Sequence, residues 1–363
     1  MIIKTSLLII VSLFIFSFSG KKEAGEFGIG KTIPEKDLFE SDEILSITLS
    51  GNIRELLNDR GDDPKYHPIT LSYRDKDSSQ VNIPVQMKTR GHFRKLKGNC
   101  SYPPLQISFP ADVNRLSSVF KGQTKLKLVM PCVSDDYIIR EWLVYKIYNL
   151  ITAKSFRARL VRVSLTDTRN KKQPSSFYGI LLEDVKHMAT RNKAIAIEQK
   201  LRPQETQQES FLTMAVFQYL IGNTDWSVEY LQNIKLLKTA ASLQLITVPY
   251  DFDHSGIVNA PYANPAEELL MRSVLERRYR GYCVNDLKIF EPTITLYNKV
   301  KKDIYDLYMN CPYLDAKSIR ATTKFLDEFY QTINNQKAWQ RDFAYPCDKN
   351  GTGNVVIKGL KED

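Results

Sequence analysis

The sequence predicts an α+β protein of two lobes: an antiparallel, strand-rich N-terminal lobe with one helix, then a mainly helical C-terminal lobe. Three observations predict it. Short apolar or alternating runs between turn residues crowd residues 43–184, a single helical period interrupts them, and helical spacing dominates from Glu209 onward. With 363 residues, 43% hydrophobic and 25% charged, the chain can bury one large core or two smaller ones.

The first element is a leader. Residues 1–19 combine a basic start (Met1 to Lys4), an apolar run over 5–18 and small residues at Ser17 and Ser19, the pattern of a cleavable signal peptide. The run is too short for a stable transmembrane span, so the expected product is exported, to a periplasmic, surface or extracellular site. Residues 20–42 read as a linker. Strands are then expected at 44–49, 69–73, 81–89, 105–109 and 125–129, a helix at 135–151 capped by Ser134 or Asp135, and strands at 159–165 and 177–184. The C-terminal lobe, 185–345, should hold helices at 209–221, 287–301, 301–309 and 315–337, with 346–363 as a tail.

Five cysteines in an exported chain invite pairing. Cys100 and Cys132 each adjoin a strand end, so a bridge between them would tie two sides of a sheet. Cys283, Cys311 and Cys347 leave room for one more bridge and one free thiol. The absence of Cys-x-x-Cys and the scatter of His67, His92, His187 and His254 argue against a zinc site.

The formal charge of +10 favours anionic partners: a nucleotide, an acidic protein or an envelope polymer. Nucleic acid is not expected, because the basic residues are dispersed and match no nucleic-acid-binding motif. Oligomeric state leaves no signal.

The most informative stretch is the pair of segments Gly222-Asn-Thr-Asp-Trp226, with Asn233 eight residues after Asp225, and Tyr250-Asp-Phe-Asp-His-Ser-Gly256. Asp, Asn and Gly beside strands are ordinary turn residues. In this order they also supply what phosphoryl transfer requires: one carboxylate to orient an attacking hydroxyl, and an amide with a second carboxylate to hold Mg²⁺.

Together with Thr89-Arg-Gly-His-Phe-Arg94, Lys125-Leu-Lys-Leu-Val129, Tyr137-Ile-Ile-Arg-Glu-Trp-Leu-Val-Tyr145 and Tyr178-Gly-Ile-Leu-Leu-Glu183, these segments make residues 88–309 resemble the spore coat protein H (CotH) kinase-like family. The resemblance implies a two-lobed protein-kinase-like fold and transfer of the ATP γ-phosphoryl to protein Ser/Thr hydroxyls at the cell envelope, with Mg²⁺ or Mn²⁺. It also implies roles: Asp225 as catalytic base, Asn233 and Asp251 as metal ligands, and Asp253 as a second acidic ligand. Lys125 or Lys127, on one face of a strand, would pair the phosphates, and Glu141 on the following helix would orient that lysine. Glu183 and Asp184 fall where the hinge between lobes should touch adenine and ribose.

The chain departs from ordinary kinases in two ways. It has no Gly-x-Gly-x-x-Gly loop, so Arg90 and Arg94 would have to cover the phosphates with guanidinium forks, and Asp253 stands where the metal-loop Gly is usual. Two other readings therefore stay open: a catalytically inactive kinase-fold module with a binding or structural role, and a metal-assisted hydrolase built on Asp225, Asp251 and Asp253.

Overall fold

Alternating side chains over the first half of the chain send one row of residues inward, and the strands roll up around it. The structure, a computed structural model, describes residues 37–111, 118–169 and 175–345. Its strands β1 (Leu45–Gly51), β2 (His67–Arg74), β3 (Gln80–Thr89), β4 (Leu105–Ser108), β5 (Lys125–Val129), β6 (Ala158–Asp167) and β7 (Ser175–Leu182) form a closed barrel in the order β1-β2-β3-β4-β5-β7-β6. Every neighbouring pair is antiparallel except β1 and β6, which run parallel from Leu45 opposite Val161 to Gly51 opposite Asp167. This corrects the expectation of a wholly antiparallel lobe. A ring of seven strands cannot alternate direction all the way round, so closure requires one parallel pair. A short helix, α1 (Ile53–Asn58), follows β1 and was not legible in the sequence.

Period 2 divides the barrel residues between two cores. Inward side chains such as Leu49, Leu71, Val85, Ile107, Leu128, Val161 and Leu181 fill the barrel. Their strand neighbours Ala158, Leu160, Ile180 and Leu182 point outward and join a second core with α2 (Asp135–Ile151). The first turn of α2 is capped by Ser134, whose Oγ accepts from the Asp136 N–H. Ten of its seventeen residues are buried, and one of these is Glu141. Both cores belong to one compact unit, Lys36–Asp363.

After β7, α3 (Val185–Arg191) leads to a three-stranded sheet of β8 (Ala194–Ile197), β9 (Ile234–Thr239) and β10 (Ile246–Pro249), in the order β10-β9-β8. Between β8 and β9 runs α4 (Gln208–Ile221), buried almost throughout and ended by Gly222 at φ 65°. The helices α5 (Glu291–Lys299), α6 (Lys301–Met309), α7 (Ala316–Ile333) and α8 (Gln336–Phe343) complete the second core. Two expected helices are shorter than their periodicity suggested. Residues 287–290 form a 3₁₀ turn before α5, and the long helix of 315–337 breaks after Ile333, where the Asn335 side chain caps α8 by accepting from the Ala338 N–H.

Cys100 and Cys132 are joined, with Cα atoms 4.4 Å apart, as their positions beside strand ends led us to expect. Cys283 is disulfide-bonded too, and Cys311 is a buried free thiol. Among the described residues no helix is long and apolar enough to cross a membrane. The expected leader (1–19), residues 20–36 of the linker, Cys347 and the tail lie outside the described residues.

Candidate functional site

The start of β9 and the end of β10 are paired, and the residues just before the one and just after the other line a cavity of about 810 Å³ together with residues of the barrel. That volume suits a ligand the size of a nucleotide. Arg90 and Arg94 reach it from the loop after β3, Lys127 from β5 and Tyr145 from α2. Asp225 comes from the loop after α4, Asn233 from the turn before β9, and Asp251, Asp253 and His254 from the segment after β10.

The Asp225 loop is held by backbone and amide bonds. Asn223 Oδ1 accepts from the Asp225 N–H at 3.0 Å, and Arg280 Nη1 donates to the carbonyls of Thr224 at 2.6 Å and Trp226 at 2.7 Å. Asn233 Nδ2 donates to the Asp225 carbonyl at 2.8 Å and to its Oδ2 at 3.1 Å. This orientation leaves Asn233 Oδ1 available as an acceptor.

Asn233 and Asp251 sit just outside the last ladder pair, Ile234 opposite Pro249, and the Tyr250 N–H donates to the Asn233 carbonyl at 3.0 Å. Both have left-handed backbones, at φ 52° and 64°. Each costs of order 1–3 kcal/mol for a non-glycine residue, and such residues persist only where their surroundings hold them. At Asp251 the hold is visible: its N–H donates to Tyr145 Oη at 3.0 Å. Its carboxylate has no hydrogen-bond or ion-pair partner among the described residues.

Burial sets the electrostatics. It pushes the Asp251 carboxyl above the usual range, with Asp253 repulsion adding to it, and it raises Asp225 likewise. Lys127, its Nζ 4.6 Å from the Tyr250 ring centre, is lowered to about 7 by burial and by neighbouring Arg90. The neutral amine of Lys127 is therefore accessible near neutrality.

Of the two strand lysines, Lys127 lines the cavity, while Lys125 is solvent-exposed at the edge of the strand. The structure corrects two expected partners. Glu141, 1% exposed, does not pair with a strand lysine; its Oε2 lies 3.5 Å from Arg94 Nη1. Arg94 in turn reaches Asp253 Oδ2 at 3.7 Å and donates to the Met130 carbonyl at 3.4 Å, so it is a buried counterion rather than a phosphate fork. Asp253 Oδ2 also accepts from Tyr262 Oη at 3.1 Å.

Glu183 is the second correction. Its carboxylate turns away from the cavity, accepting from the Arg157 N–H at 2.9 Å and from Arg191 Nε and Nη2 at 3.0 and 2.9 Å. The group pins the end of β7 to α3, and Leu182 lines the cavity instead. Asp184 is spent capping α3.

No protein-family model matches this chain, and no curated protein does. Among solved structures it is similar to the proinflammatory kinase CtkA of Helicobacter pylori. That likeness has a TM-score of 0.38 at 12% identity, over 70% of this chain and 95% of the other.

Among the described residues no three His, Cys, Asp or Glu side chains gather closely enough to hold a metal ion by themselves. Mg²⁺, however, is commonly held by one or two protein groups with phosphates and water completing the shell. The unpartnered Asp251 carboxylate and the available Asn233 Oδ1 fit that sparser arrangement, whereas Asp253 is directed at Arg94 and Tyr262.

Two contributors escaped sequence reading. Tyr145 follows Glu141 by four residues on α2, so helical spacing could have placed both at the site. Tyr262 carries no local signal, because only the fold brings its hydroxyl to Asp253.

Proposed function

We propose that this cavity binds a Mg²⁺ or Mn²⁺ nucleotide and transfers the γ-phosphoryl of ATP to a Ser or Thr hydroxyl of a protein at the cell envelope. The observation that carries this reading is that Asn233 and Asp251, two left-handed residues just beyond paired strand ends, line one cavity together with Asp225, which is bonded to Asn233, and Lys127. Sheet ladders do not need two non-glycine residues in that conformation, and strained backbone of this kind clusters at functional sites.

In this reading Asp251 and Asn233 Oδ1 hold the cation, which neutralises phosphate charge when bound. Arg90 and Lys127 face the phosphates. Asp225 accepts a hydrogen bond from the attacking hydroxyl and takes its proton as the oxygen bonds to phosphorus, while the β–γ bridging P–O bond breaks and ADP leaves. Its raised carboxyl suits a base better than an ordinary aspartate would. Arg94 and Glu141 hold the loop after β3 against α2. The disulfide-bonded residues Cys100, Cys132 and Cys283 support an oxidising, exported location.

The test is incubation of the purified chain with Mg²⁺ or Mn²⁺ and γ-labelled ATP, alone and with envelope extract. Wild type should label itself or an acceptor, and Asp225→Ala should not. Equal labelling by both overturns the role of Asp225. Nucleotide binding without any transfer would instead make the protein a non-catalytic nucleotide-binding module.

A further inference from the structure

Behind the Asp225 loop, and sharing no lining residue with the first cavity, is a second cavity of about 390 Å³. Its wall carries four arginines, Arg277, Arg278, Arg280 and Arg341, against a single carboxylate, Asp342. Asp342 is already committed: Oδ1 accepts from Arg341 Nε at 2.7 Å and Oδ2 from Tyr219 Oη at 2.8 Å. Positive charge therefore exceeds negative charge in a partly enclosed space, where the imbalance is felt more strongly than at an open surface.

The arginines differ in how much of their donor capacity is used. Arg277 is spent on the carbonyls of Leu220 and Phe325 and on Glu328. Arg280 uses only Nη1, on the Thr224 and Trp226 carbonyls. Arg278 is exposed and makes no hydrogen bond among the described residues, and both Nη atoms of Arg341 are likewise unspent. A further observation is independent of charge. Tyr279 also lines the cavity, is 3% exposed, and its buried hydroxyl has no hydrogen-bond partner among the described residues. Orphaned buried hydroxyls are rare enough to need a reason.

We propose that this second cavity is a binding site for a phosphate-type dianion, held by Arg278, Arg280 and Arg341 with the Tyr279 hydroxyl. Planar guanidinium forks match phosphate oxygens two at a time, and the Tyr279 O–H supplies a neutral donor. Burial lowers the affinity of Arg277 and Arg280 for their protons, and an anion would reverse that effect. The same chemistry is offered by free phosphate and by a phosphorylated side chain. Arg280 makes this site the back wall of the loop that carries Asp225.

The experiment is calorimetry on the full chain with inorganic phosphate, a phosphoserine peptide and its unphosphorylated twin. The variants are Arg278→Ala, Arg278→Ala/Arg341→Ala and Tyr279→Phe. Wild type should bind phosphate, and the double variant should bind it about tenfold or more weakly through loss of charge-assisted donors, while Mg-ATP binding is unchanged. Tighter binding of the phosphopeptide than of phosphate identifies a phosphorylated side chain as the source, and equal binding identifies free phosphate. The proposal is overturned if millimolar phosphate does not bind, or if binding survives in the double variant and is lost in Lys127→Ala, which would put the phosphate in the larger cavity. Arg278→Ala removes an exposed side chain without hydrogen bonds, so it keeps the test valid should the double variant misfold.

Discussion

Arg94 Nη1 and Glu141 Oε2 lie 3.5 Å apart with both side chains buried, joining the loop after β3 to the helix α2. Neither Glu141 oxygen makes a hydrogen bond among the described residues, so Arg94 is the one cation that opposes the effect of burial on this group. Removing one member of a buried pair costs about 3–5 kcal/mol, whereas replacing both with apolar residues is often neutral. Arg94→Ala should therefore lower the unfolding free energy by that order, and Arg94→Met/Glu141→Leu should recover part of it, because Asp253 still lacks its cation. Urea denaturation of the three proteins measures this. A loss under about 1 kcal/mol for Arg94→Ala would mean that the pair does not hold the two elements together.

Stability should depend on pH in a way set by the cavity. Burial raises Glu141 from 4.5 to about 8, despite the opposing pull of Arg94, and raises Asp251 and Asp225. A carboxyl that binds its proton more tightly when folded stabilises the fold below its unfolded value, and this contribution is lost as pH rises through the folded value. Lys127 acts in another window: lowered from 10.5 to about 7, it costs stability at low pH and the cost is relieved as pH rises from about 7 toward 10.5. The ligand-free chain should lose stability between about pH 5 and 7 and level off or recover above, as read by denaturation midpoints at each pH. A steady rise through the acid range would show these carboxyls to be ionised and compensated in the fold.

The sequence made the strands of the barrel legible because their alternation is local, and made α2 legible because its apolar spacing and Ser134 cap are local. It could not show the parallel β1–β6 pair, which depends on how many strands the ring contains. The candidate site divides the same way. Asp225, Asn233 and Asp251 announced themselves as polar residues bordering apolar runs, and the fold brings them together at one cavity. Partner choice was not readable: Glu141 has a lysine-bearing strand before it in sequence, but Arg94, forty-seven residues upstream, is what reaches it. Glu183 resembled a hinge contact by position alone, and Arg191 on the next helix claims its carboxylate.

The Cys100–Cys132 bridge closes a loop with a sequence separation of 32, and that loop also carries β4 and β5. Chain entropy assigns such a closure roughly 3–4 kcal/mol of stabilisation. Arg94 lies in the loop between β3 and Cys100, and the carbonyl it contacts, on Met130, lies two residues before Cys132. Cys100→Ser/Cys132→Ser should lower the unfolding free energy by about that amount and also weaken nucleotide binding, because both ends of the Arg94 contact become freer. Calorimetric binding of Mg-ATP to the folded variant separates the two effects. Unchanged stability in the double variant would show that the bridge contributes no constraint of its own.

Tyr145 offers a test of the Asp251 backbone that leaves every charge in place. Its hydroxyl accepts from the Asp251 N–H at 3.0 Å, and that N–H belongs to a residue held at φ 64°. Tyr145→Phe removes the acceptor alone, leaving a donor unsatisfied at a cost of about 1–3 kcal/mol and releasing one restraint on the left-handed conformation. Asp251 should then relax toward ordinary backbone geometry and carry its carboxylate away from Asn233. Thermal shift with and without Mg²⁺ and ATP should show a lower melting temperature for the ligand-free variant and a smaller ligand-induced rise than in wild type. Asp251→Asn provides the contrast. It keeps the size of the side chain and removes a buried charge, so its ligand-free melting temperature should be equal to or above that of wild type, with the ligand-induced rise lost. If Tyr145→Phe responds to Mg-ATP as fully as wild type, the left-handed backbone at Asp251 is a feature of the turn after β10 and not a device for holding a cation.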